Sequence, residues 1–281
     1  MVERQRGLTL TTHAVLGLGV LVVAFPIWVT LVASTHAAPD LFGRVPLWFG
    51  SHLVENYARV LRIGARVTAG TGVGTMLWNS LVMAVAIAVG KIAISILSAY
   101  AIVYFRFPLR MACFWTIFLT LMLPVEVRIM PTFKVVADLG LLNSYLGLTV
   151  PLIASATATF LFRQFFLTVP EELAEAARID GAGPLRFFAS ILVPLSRTNV
   201  AALFLILFIY GWNQYLWPLL MTTDESMATI VMGIKRMTPT GDAAAEWNLV
   251  MATVVLAMLP PVAVVVLMQR WFIKGLIETE K

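Results

Sequence analysis

Six apolar stretches, each of bilayer-spanning length, dominate the chain: approximately His13 to Val32, Met76 to Tyr104, Met111 to Pro131, Leu146 to Phe166, Asn199 to Leu220 and Trp247 to Gln269. A helix needs roughly 20 mostly apolar residues to cover about 30 Å of hydrocarbon, since it rises about 1.5 Å per residue. Lipid offers the backbone no hydrogen bonds, so each stretch has to pair its own amides as a helix. The chain is 60% apolar and 12% charged, with a mean hydropathy of +0.89, which excludes an ordinary soluble domain. These features predict an all-α, polytopic membrane protein with six transmembrane helices. A single cysteine, Cys113, lies within an apolar run and reads as packing, leaving no disulfide framework or CxxC site.

Lys and Arg accumulate on the cytoplasmic side of short loops, and their distribution sets the orientation. Arg4 and Arg6 precede the first span, Arg106 and Arg110 sit in a tight turn, Arg163, Arg178, Arg186 and Arg197 surround one polar stretch, and Arg270 and Lys274 follow the last span. All fall on one side if both termini are cytoplasmic. Arg44, Arg59, Arg62 and Arg66 lie on the loop from Ser34 to Thr75, which then faces outward, and so run against the rule. The expected organisation is a cytoplasmic tail (1–12), a single transmembrane domain (13–270) and a second cytoplasmic tail (271–281). The first apolar run is longer than a usual signal-peptide core and reads as an uncleaved anchor. The net charge of +5 is dispersed among loops and points to membrane topology rather than nucleic acid.

One segment between the apolar runs is charged: EELAEAARIDGAGPLRFFASILVP, from Glu171 to Pro194. Pro170 suits the start of a helix, and Glu171 and Glu172 suit the positive end of its dipole. Gly181 and Gly183 permit a sharp turn, and Pro184 suits the first turn of a second helix carrying Leu185, Phe187, Phe188, Ile191 and Leu192. The small alanines leave room for close approach to a partner surface, and Glu175, Arg178 and Asp180 can pair with charges across it. A solvated amphipathic loop on the membrane surface is the plain alternative.

The spacing of Glu175, Ala176 and Ala177, then Gly181, Ile191 and Pro194, resembles the EAA signature of permease subunits of bacterial ABC importers, with Val193 where leucine is usual. The runs Leu119 to Thr132, Phe160 to Phe166 and Tyr210 to Leu220 extend the likeness over nearly the whole chain, toward permeases of the oligosaccharide and glycerol-phosphate type. The resemblance implies a type I ABC importer permease fold. It also implies a cytoplasmic coupling loop (167–198), in which Glu175, Ala176, Ala177, Asp180, Gly181, Ala182, Ile191 and Pro194 meet an ATPase. The implied partners are a second, non-identical permease, an ATPase dimer, a periplasmic solute-binding protein and membrane lipid. ATP and Mg would reside on the ATPase, and no cofactor on this chain. The implied solute is sn-glycerol 3-phosphate or a glycerophosphodiester, with an uncharged sugar as the alternative.

Ionisable groups at membrane depth are costly and mark candidate pathway positions. Lys91 lies 15 positions before Arg106, roughly 22 Å along a helix. A buried cation would attract a phosphate-bearing solute, although pairing with a partner helix or snorkelling explains it at least as well. Glu126 and Arg128 could line a gate or form a local pair. Asn213 and Gln214 are further pathway candidates, since amides could hydrogen-bond polyol hydroxyls, and they sit among Trp212, Tyr215 and Trp217, rings that suit an aromatic belt or helix packing. Asn79, Ser80, Ser95 and Ser98 read as helix contacts.

No enzyme site emerges, because the chain lacks a GxxxxGK[ST] loop and its His13, His36 and His52 show no metal-ligand spacing. No catalytic or metal-binding residue is assigned. A self-sufficient secondary transporter is the more distant alternative, and an obvious inverted repeat is missing.

Overall fold

The computed structural model describes residues 6–62, 71–122, 125–238 and 246–278, apart from the side chains of 6–10, 120–122, 125–126 and 270–278. Helix is the regular secondary structure throughout the described residues, with no strand among them. The expectations placed on Arg4, Arg6, Arg66, Arg270, Lys274 and the side chain of Glu126 fall outside that description.

Helices α1 (Arg6–Ala33) and α2 (Leu53–Arg62) precede the 32-residue α3 (Val73–Tyr104). Then follow α4 (Arg110–Met122), α5 (Val125–Asp138), the short α6 (Tyr145–Thr149) and α7 (Ala156–Thr168). The polar stretch forms α8 (Glu171–Ile179), α9 (Pro184–Phe187), a π-helical turn at Phe188–Leu192 and α10 (Val193–Leu195). The chain continues through α11 (Arg197–Trp212), α12 (Leu216–Met221), α13 (Ile230–Met237) and α14 (Trp247–Glu278).

Thr11–Ala33, Val73–Tyr104 and Trp247–Gln269 are each long and apolar enough to cross a membrane as single helices. Two bent pairs bring the number to as many as five: Tyr145–Leu152 with Ala156–Thr168, at 48°, and Pro184–Leu195 with Arg197–Trp212, at 71°. The stretch expected as a third span, Met111 to Pro131, consists of α4 and α5 on either side of Leu123 and Pro124. The apolar side chains of α1 from Val15 to Phe25 are exposed, which lipid tolerates because it is as apolar as they are.

The chain divides into two compact units, Met1–Gly74 with Gly233–Leu259, and Thr75–Met232 with Pro260–Lys281. In the first unit, buried Asn56 donates to the carbonyls of Ser34 (2.9 Å) and His36 (2.8 Å) and accepts from Asn248 Nδ2 (2.9 Å). Arg59 pairs with Glu246 at 2.7 Å. That pair neutralises one of the arginines that stood against the simple orientation rule.

The second unit has a core of Met83, Ile87, Ile129, Val136, Leu148, Trp217 and Met221. Helices α3 and α11 touch where Gly211 meets Ala84: a Cβ on Gly211 would lie 2.9 Å from the Ala84 Cα, closer than backbone permits. The polar residues of α3 tie it to neighbouring loops and helix ends. Asn79 donates to the carbonyls of Ser226 (2.8 Å) and Ala228 (3.0 Å) and accepts from Tyr145 Oη (2.6 Å). Ser80 accepts from the Ile230 amide at 2.8 Å, and Ser95 donates to the Ser155 carbonyl at 3.3 Å.

Candidate functional site

Two places in the second unit concentrate the residues that the sequence singled out. The first is the turn between α8 and α9. Asp180 closes α8, and Gly181 follows with φ +72°, a left-handed conformation that costs a residue with a Cβ about 1–2 kcal/mol. The Gly181 amide donates to the Arg178 carbonyl (3.0 Å) and the Ala182 amide to the Ala177 carbonyl (2.8 Å). These two bonds make a Schellman motif, which satisfies carbonyls that the helix end would leave open. A Cβ on Gly181 would meet nothing within 4 Å. The glycine is therefore required by backbone angle, and the space in front of it is open.

Around the turn, Glu175, Ala176, Arg178 and Asp180 are exposed, as are Ile179 (86%) and Leu185 (79%). Among the described residues neither Glu175 nor Asp180 has an ion-pair partner. Ala177 faces the other way and is buried. With Ala174 and Ala182 it lines a cavity of about 120 Å³ against Tyr100, Tyr104 and Phe187. Ala177 thus allows close approach to this chain's own aromatic rings, whereas Ala176 is the one left open.

The far end of α3 holds this loop. The Tyr100 hydroxyl donates to the Pro184 carbonyl at 2.9 Å. Tyr100 packs on Phe188 at 4.9 Å between ring centroids, and Tyr104 on Phe187 at 5.3 Å and on Phe166, at the end of α7, at 6.0 Å. Three elements are thereby joined through aromatic pairs, each contributing about 0.5–1.5 kcal/mol beyond area burial.

Pro194 sets the other boundary of the loop. It has no amide to donate, so the ladder loses a bond where the π-helical turn Phe188–Leu192 ends. Ile191 is half-buried there and Leu192 fully buried. Buried Ser196 donates its hydroxyl to the Leu192 carbonyl at 2.6 Å. The chain then turns by 71° into α11.

The second place is a pocket of about 50 Å³ at the edge of the core, lined by Lys91, Arg128, Thr132, Tyr210 and Trp217 among others. Lys91 is buried, with its ammonium 4.0 Å from the centroid of the Tyr210 ring. Among the described residues no carboxylate pairs with Lys91 or Arg128. Trp217 is buried too, and its indole N–H lacks an acceptor.

Lys91 and Arg128 are brought together here, and Asn213 and Gln214 are not. Gln214 donates to the Tyr210 carbonyl at 3.2 Å, while Asn213 closes α11 and is exposed. Trp212 and Trp217 are core residues, so helix packing rather than a belt accounts for them. Cys113, expected to pack, is exposed.

Sequence reasoning missed Tyr100, Tyr104 and Tyr210. The signal available was a pair of tyrosines one turn apart at the end of an apolar run, and it says nothing about which loop they reach.

The model of the family described as "Binding-protein-dependent transport system inner membrane component" matches residues 91–278. The sn-glycerol-3-phosphate transport system permease protein UgpE of Brucella melitensis biotype 1 is 60% identical over 283 residues, covering 100% of both chains. The UgpE proteins of Rhizobium meliloti (60% over 282 residues) and Yersinia pestis bv. Antiqua (59% over 283 residues) also align over 100% of both chains. A crystal structure of a bacterial ABC transporter involved in the import of the acidic polysaccharide alginate matches with a TM-score of 0.80 at 22% identity, covering 97% of this chain and 99% of that one. This likeness shows that the two chains share a fold.

Proposed function

The chain belongs to the family of inner membrane components of binding-protein-dependent transport systems, and from that premise we propose that it imports sn-glycerol 3-phosphate or glycerophosphodiesters as one permease of an ATP-driven complex. It is a non-catalytic, multi-pass subunit of the inner membrane. The observation that carries the substrate is the end-to-end identity of 60% with permeases named for sn-glycerol-3-phosphate transport. Two cations beside one pocket, with no carboxylate partner among the described residues, favour a phosphate-bearing solute over an uncharged sugar.

In this reading six spans place both termini and the 167–198 loop in the cytoplasm, with Met111 to Pro131 as the third span. The exposed Gly181 turn enters the ATPase, where Glu175, Ala176, Asp180 and Ala182 supply its contact surface. ATP and Mg are held by that ATPase dimer, and solute arrives from a periplasmic binding protein through a pathway shared with a second permease. Motion of the loop passes to α3 through Tyr100 and Tyr104, and to α11 through the bend at Ser196.

Affinity purification of the tagged chain from membranes tests the assembly. The expected result is co-isolation of a second permease and an ATPase, with ATPase capture lost in Gly181→Trp although the variant remains in the membrane. A chain that purifies alone, or a Gly181→Trp variant that retains the ATPase, contradicts the reading.

A further inference from the structure

Lys91 stands near the middle of α3, 18 residues after Val73 and 13 before Tyr104, which is roughly 27 Å and 20 Å from its two ends. A cation at that depth ordinarily pairs with a carboxylate or reaches the interface. Lys91 does neither. It is buried at 8% exposure, its ammonium stacks on Tyr210, and the second group of charge at the same pocket, Arg128, is also positive. Nearby, the Trp217 indole N–H is buried without an acceptor.

A site that gathers two like charges and an open donor lacks one component, an anion. The pocket of about 50 Å³ exceeds the roughly 10–15 Å³ that one water requires on the same measure. It has room for a small oxyanion headgroup.

We propose that Lys91 and Arg128, with Trp217 as a further donor, form a subsite for the phosphate monoester or diester group of the transported solute within this subunit. The inference rests on the reading of the chain as a glycerol-phosphate permease and deepens it by placing a specificity determinant for charge on this half of the pathway. The mid-helix position of Lys91 favours a free solute over a lipid headgroup, which stays at the interface.

The test uses the assembled complex, with uptake normalised to the amount of complex recovered. Labelled sn-glycerol 3-phosphate uptake into proteoliposomes is expected to fall at least tenfold in Lys91→Gln and Arg128→Gln, and to be largely retained in Lys91→Arg. Without the binding protein, sn-glycerol 3-phosphate should raise the melting temperature of the detergent-purified wild-type complex where glycerol does not, and this increment should vanish in both glutamine variants. Glutamine variants that import at the wild-type rate overturn the subsite and leave the permease reading intact. So does a stabilisation produced by phosphatidylglycerol and not by sn-glycerol 3-phosphate. A wild-type complex that imports another solute and not sn-glycerol 3-phosphate overturns the permease reading, and the subsite with it.

Discussion

The Tyr100 hydroxyl and the Pro184 carbonyl make one hydrogen bond at 2.9 Å, and it fixes the start of α9 against the end of α3. A bond of this kind contributes about 1 kcal/mol. Tyr100→Phe is expected to keep the ring contact with Phe188, lose the bond and weaken the link between loop and span. ATPase stimulation by loaded binding protein should drop several-fold in reconstituted complex, while total complex recovered stays the same; unaltered stimulation would mean that the aromatic packing alone carries the link. The residues facing the turn were readable from sequence, because Glu175, Ala176, Asp180 and Gly181 follow a fixed spacing and the turn needs a left-handed position. Tyr100 was not readable, since nothing local marks which loop a tyrosine at a helix end will reach. Lys91 was noticed for its depth, but its neighbours Arg128 and Tyr210 come from other helices, 37 and 119 positions later. Pairings over such separations leave no local trace.

Helices depart from the sequence pattern where proline or polar side chains redirect the backbone. The run from Leu146 to Phe166 contains a 48° bend, and the serine that caps α7, Ser155, accepts from the Ala158 amide at 3.3 Å. The run from Asn199 to Leu220 is interrupted after Trp212, and α11 begins at a 71° turn from the preceding helices. Hydropathy averages over such breaks, so it reports where lipid is tolerated and not where a helix ends. The contact of α3 with α11 at Ala84 and Gly211 is likewise invisible to it. Gly211→Leu is expected to force these helices apart, at a cost of about 1–3 kcal/mol for overpacking. Its melting temperature in detergent should fall by several degrees. A value equal to wild type would show that the contact relaxes freely.

Across the whole molecule, the Gly181 turn and the cationic pocket both connect to α3, with Tyr100 only nine positions beyond Lys91, roughly 13 Å along the helix. A rigid helix of this kind gives movement of the loop a direct route to the place where charge is gathered. The polar network around Asn56 and the Arg59–Glu246 pair give the first unit its own order, and explain a basic residue that topology alone could not. The function proposed for this chain is ATP-driven, binding-protein-dependent import of sn-glycerol 3-phosphate as part of a complex. Uptake of the labelled compound into proteoliposomes holding this chain, its partner permease and the ATPase, with and without ATP and the loaded binding protein, tests it most directly. Accumulation is expected only when ATP and binding protein are both supplied. Accumulation without ATP, or none with every component present, would contradict it.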